Sequence, residues 1–123
     1  MARGPFKWPT LAAAIVVVVA LGLAAALVGI RWSIQSGVRD ATAIAVREYP
    51  GDGVLALVTL VDAPEHSFAE RNRAVWALGQ LGDARALPTL ESHYSGSQCD
   101  HTRRLCQHEL KKAIDLIRSR AER

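Results

Sequence analysis

The feature that most constrains this chain is "TLAAAIVVVVALGLAAALVGI", Thr10 to Ile30, which runs 21 residues without a charge. At about 1.5 Å rise per residue such a helix reaches roughly 30 Å, the hydrocarbon thickness of a bilayer. Trp8 and Trp32 stand just outside it, and indole rings suit the headgroup layer at each interface. Two readings of the segment compete. A cleaved signal peptide would use Arg3 and Lys7 as its positive start and Ala24-Ala25-Ala26 as its small-residue cleavage site. An uncleaved anchor accounts better for the length, because the apolar run continues to Ile30 and exceeds the roughly 7–15 residues of a signal's apolar region. The expected organisation is a tail (1–9), a transmembrane helix (10–32), a short hinge "SIQSGV" (33–38), a helical domain (39–118) and a polar end (119–123).

The net charge of +3 arises beside the apolar segment, at Arg3, Lys7 and Arg31. From Ser33 onward 12 Lys/Arg balance 12 Asp/Glu, so the basic character is a membrane signature and no nucleic acid is expected as a partner. Residues 101–123 carry 7 basic and 3 acidic side chains. They read as a solvated helix face, with lipid headgroups or an acidic partner as the alternative. Basic residues flank both ends of the span, so the positive-inside rule discriminates weakly. A short leading tail and two cysteines favour a single-pass protein of a bacterial plasma or inner membrane, with its C-terminal domain extracytoplasmic.

The soluble part shows a repeat. In "RNRAVWALGQL", Arg71 to Leu81, Ala74, Trp76-Ala77, Leu78 and Leu81 recur at helical spacing. Gly82 suits a left-handed helix end, and Asp83 suits the cap of the next helix, which runs to about His93 with Pro88 near its first turn. Thirty-one residues upstream, Gly51-Asp52 aligns with Gly82-Asp83 and Ala43-Ile44 with Ala74-Val75. The first copy is then a helix from about Val38 to Tyr49, a turn, and a helix from Gly53 to Val61. "ELKKAIDLI", Glu109 to Ile117, matches the first helix of a third unit. A fixed period near 30 with helical periodicity means stacked helical hairpins. The expected fold is therefore all-α: one N-terminal transmembrane helix and a short α-α solenoid, about five helices in all.

"RNRAVWALGQLGDARALPTL" resembles a HEAT repeat, specifically the short kind of phycobilisome-lyase-like proteins. Arg73, Ala74, Ala77-Leu78-Gly79, Leu81-Gly82-Asp83, Ala86-Leu87-Pro88 and Leu90 carry the likeness. It is good over Arg71 to Glu91, degenerate over Arg39 to Val61, and partial over Gln107 to Ile117. The resemblance implies a scaffold that binds proteins along a helical surface; some such proteins resemble subunits that attach bilins. Apart from the resemblance, Arg71, Arg73, Trp76 and Arg85 are candidates for a partner-binding face; Trp76 reads more readily as hairpin core, and the arginines also fit a plain solvated helix face.

"CDHTRRLCQH" gathers Cys99, His101, Cys106 and His108. As a metal set the spacing is unfamiliar, and residues two apart on a helix diverge. A Cys99–Cys106 disulfide requires Cys99 to lie in a loop and fold back on the helix start, since on one helix the two would stand about 10 Å apart. Two unbonded thiols are the remaining reading. No phosphate-binding glycine loop, H-E-x-x-H motif or nucleophile elbow occurs, so neither catalysis nor a cofactor is expected.

Within the apolar segment Gly22 with Ala26, and Ala25 with Gly29, place small residues four apart, a spacing that permits close helix packing or self-association. The leading expectation is thus a non-catalytic, membrane-anchored adaptor touching lipid and a protein partner. The alternatives are a structural subunit packed through its transmembrane helix, and an accessory factor of a lyase-like or metal-dependent enzyme.

Overall fold

A computed structural model describes residues 8–123, and among these every regular element is helical. Helix α1 is Trp8–Glu48, α2 Gly53–Asp62 and α3 Phe68–Leu81. A 3-10 turn, Ala84–Ala86, leads into α4, Leu87–His93, and α5 is Gln107–Ala121. The expected basic residues Arg3 and Lys7 lie outside the described residues. The chain divides into two compact units, one ending at Ile34 and the other Gln35–Arg123.

In the first unit α1 is long and apolar enough to cross a membrane, and among the described residues none of its most apolar stretch is buried. Trp8 and Trp32 are both exposed. Residues 33–38, expected as a hinge, are helical and belong to α1. Gly37 costs only about 1 kcal/mol in a helix interior, and no proline interrupts the segment, so nothing in the sequence obliges a break.

In the second unit the apolar stripes meet in one core. Ala41 and Ala45 of α1, Leu57, Leu60 and Val61 of α2, Ala74, Val75 and Leu78 of α3, Leu90 of α4, and Leu110, Ile114 and Ile117 of α5 are all buried in it. Each fully buried leucine or isoleucine contributes about 1.5–3 kcal/mol relative to exposure. The apolar α2 divides its residues: Val54 and Val58 pack partly against the core, whereas Leu55 stays exposed. A helix with apolar residues on every side cannot turn them all to one neighbour.

The helix ends are set by local chemistry. Asp52 caps α2, its Oδ1 accepting the N–H groups of Val54 at 2.9 Å and Leu55 at 3.2 Å. Ser67 and Glu70 form a capping box that starts α3 at Phe68, three residues before the expected start. Gly82 ends α3 at φ +71°, its N–H donating to Leu78 O at 3.0 Å. Asp83 caps the following turn through the Arg85 N–H, 2.9 Å away, and Pro88 sits in the first turn of α4.

Equivalent positions of the two hairpins stack. Asp62 at the end of α2 and His93 at the end of α4 are 31 residues apart, and His93 Nε2 lies 2.8 Å from Asp62 Oδ1. Arg85 Nη1 reaches 3.4 Å from Asp52 while Nη2 lies 2.7 Å from Asp83, joining the two 31-spaced cap residues. Helices α3 and α5 approach closely at Gly79, where an added Cβ would stand 2.8 Å from Ala113 Cα and 2.9 Å from its Cβ. That glycine sets how near α3 and α5 lie.

Gly79→Val will overpack the α3–α5 crossing and destabilise the second unit by about 1–3 kcal/mol. Thermal melting followed by circular dichroism will register this as a lower Tm, at about 4–8 °C per kcal/mol for a domain of this size. Gly22→Ala, which places its Cβ in open space, will leave that Tm unchanged. Acid will also weaken the fold. The Leu55 N–H chiefly holds the Asp52 carboxyl below its usual range, the Arg85 guanidinium does so for Asp83, and Ser67 does so for Glu70. Folded values below the unfolded ones mean a contribution that is full above the ordinary carboxylate range and lost as pH falls through the folded values. Tm measured from pH 7 downward will therefore drop below about pH 4, and Asp83→Asn will shrink that drop.

Candidate functional site

The residues expected to face a partner separate once placed. Arg71, one of the partner-face candidates, is turned inward and 9% exposed. Its Nε donates to Val61 O at 2.7 Å, and its guanidinium carbon lies 5.6 Å from the centre of the Phe68 ring. The reason is local: Val61 is in the last turn of α2, where carbonyls lack helix partners and a cation is favoured. Arg120 does the same one helix later, its Nη1 donating to Gln80 O at 2.6 Å near the end of α3. Trp76 is half-buried and packs against the core, its ring edge 3.0 Å from where a Cβ on Gly37 would sit. Arg85 is held by Asp83 first and Asp52 second, and both raise its already high pKa.

Arg73 stays exposed. It lines a shallow hollow of ≈ 70 Å³ with Ala41, Ile44, Leu60, Glu70 and Ala74. Ile44 on its rim is 48% exposed. The lining of the hollow combines apolar side chains with one cation, Arg73, and one carboxylate, Glu70. A wider hollow of ≈ 580 Å³ is lined only by α5, through residues such as His108, Lys111, Asp115 and Ser119. Walls from one helix make it an outer flank, and the Lys111–Asp115 pair at 2.6 Å fits that reading.

A polar cluster that the sequence reading did not single out closes the first hairpin. His66 Nε2 lies 3.0 Å from Glu48 Oε1, and Nδ1 lies 3.7 Å from Glu70 Oε2. The Tyr49 hydroxyl donates to Glu65 Oε1 at 3.0 Å. His66 Nε2 is buried and its approach to Glu48 is misaligned for a hydrogen bond. The spacing of Glu48 and His66 carries no motif, so only the fold brings them together.

Of the four candidate metal ligands, the structure joins the two cysteines, with Cys99 Sγ 3.0 Å from Cys106 Sγ. Cys99 lies in the loop before α5, and Cys106 immediately precedes that helix. His101 stands in an exposed turn whose Asp100 accepts the Thr102 N–H at 3.1 Å. His108 offers Cys99 its backbone N–H at 3.3 Å. Among the described residues no group of three or more His, Cys, Asp or Glu converges as a metal shell. A Cβ added at Gly22 or Gly29 would have nothing within 4 Å among the described residues.

Comparison with known proteins gives a limited result. The PBS lyase HEAT-like repeat family model matches residues 70–95, which contain most of α3, the capped turn and α4. No curated protein matches the chain, and no solved structure does. The similarity thus rests on the second hairpin, about a fifth of the chain.

Proposed function

We propose that this chain is a non-catalytic helical-repeat scaffold, held at a membrane by residues 10–32 and presenting stacked hairpins to a protein partner. The observation that carries the proposal is the HEAT-like match over residues 70–95 in a chain whose most apolar helical stretch has no cover of its own. An apolar helix without cover needs lipid or protein around it. Stacked hairpins offer a ridged surface, the usual use of such repeats. The docking face is the hollow beside Arg73 and Ile44, where apolar and charged groups are exposed together.

A second reading makes the chain a structural subunit that packs into a larger membrane complex through α1. The same uncovered stretch favours it, as does the room at Gly22 and Gly29 for another helix to approach. Under this reading the repeat surface serves mainly to complete a fold. An accessory role in lyase-like chemistry is tied to the family's description alone, and one in metal chemistry to the segment with Cys99, His101, Cys106 and His108 alone.

Site-specific photo-crosslinking in membranes separates these readings. A photoreactive residue at Arg73 will yield one recurrent protein adduct if the chain is a scaffold. Adducts confined to lipid at Arg73, with a protein adduct from Gly22, would replace that reading with the structural subunit. The purified full chain will show no visible absorbance and no stoichiometric metal; a bound chromophore or metal would instead support the accessory role.

A further inference from the structure

The scaffold reading uses neither cysteine, yet the loop that carries them is built in detail. Gln107, buried at the start of α5, gathers both ends of the loop. Its Oε1 accepts the N–H groups of Ser95 at 2.7 Å and Gly96 at 3.3 Å, and its Nε2 donates to His93 O at 3.0 Å. Leu105 enters the core. The Cys106 N–H donates to Asn72 Oδ1 on α3 at 2.9 Å. These ties fold the loop back so that Cys99 Sγ stands 3.0 Å from Cys106 Sγ.

The two thiols differ in a useful way. Cys99 is exposed and Cys106 is buried. The His108 N–H, a first-turn donor of α5 with no partner inside its own helix, points at Cys99 Sγ. Such a donor, together with the helix dipole, stabilises a thiolate. The Cys106 thiol and then the His108 N–H hold the Cys99 thiol below its usual range, while burial pushes the Cys106 thiol up. One cysteine is thus open to solvent and inclined to ionise, and the other waits behind it in contact.

We propose that Cys99 and Cys106 form a reversible thiol–disulfide site that accepts small-molecule disulfides of the oxidised-glutathione type, with Cys99 attacking and Cys106 resolving. The Cys99 thiolate attacks one sulfur of the small disulfide, whose S–S bond breaks. One thiolate leaves, takes up a proton, and a mixed disulfide remains on Cys99. Cys106 then gives up its proton and attacks Cys99 Sγ, expelling the second small thiol. Two protein thiols are oxidised to one disulfide as one small disulfide is reduced to two thiols. The product bond pins the loop at the start of α5, where Asn72 already ties the backbone to α3. The inference stands apart from the scaffold reading, since it rests only on this loop.

The test uses the full chain in mild detergent, equilibrated with graded ratios of reduced to oxidised glutathione. Samples are quenched in acid, alkylated with N-ethylmaleimide and weighed intact by mass spectrometry. The expected result is one transition between a doubly alkylated chain and an unalkylated one lacking two hydrogens. Two alkylatable thiols at every ratio, or a chain carrying two glutathiones, would overturn the proposal. In Cys106→Ser a single glutathione will accumulate on Cys99, and Cys99→Ser will react at least about tenfold more slowly. Equal rates in the two variants would overturn the assignment of attacker and resolver. The unsubstituted titration decides the existence of the site even where a variant fails to fold.

Discussion

The second unit depends on α3 being enclosed from two directions. Its Ala74, Val75, Ala77 and Leu78 are essentially without solvent contact, with α2 packed on it before and α5 after. A small side chain allows this closeness. Gly79 meets Ala113 where any larger residue would push the helices apart. The same proximity lets a side chain of the following helix satisfy carbonyls at the end of the preceding one. Arg71 reaches α2 in this way and Arg120 reaches α3. Packing and capping are therefore one arrangement in this fold, because an arginine can reach the neighbouring helix end only when the helices are this near.

Much of this was legible in the residues because it is local. The 31-residue spacing of Gly51-Asp52 and Gly82-Asp83 marks two hairpin turns, and both aspartates cap the elements that follow. Gly82 and Pro88 act through backbone constraints that hold in any context. Other features needed the third dimension. Ser67 and Glu70 form a capping box that the apolar pattern did not reveal, since Phe68 to Glu70 precede the regular stripe. Arg71 reads as a surface cation until the open carbonyl of Val61 is placed beside it. Residues 33–38, read as a hinge from their serines and glycine, are helical, and the boundary between the two compact units falls among them, after Ile34.

The cysteine segment shows the same division. Spacing alone left disulfide, metal and free thiols open, and it required only that Cys99 leave the helix for any bond to form. Gln107, a residue with no evident role in the sequence, proves to be the bracket that folds the loop. Of the candidate arginines, Arg71 and Arg85 bond within the chain, and Arg73 lies beside a partly apolar hollow. Within the second unit, most of the apolar α2 finds cover in the core.

The central claim is that α3 is the shared core of stacked hairpins, and amide hydrogen exchange on the full chain tests it most directly. Backbone amides of buried, enclosed helices open only with the whole cooperative unit, while exposed loops exchange freely. The account predicts that α2, α3 and α5 fall together in the slowest class of the second unit, with residues 96–104 fast. Exchange of α3 at the rate of that loop, or loss of α5 protection while α2 and α3 stay protected, would contradict it.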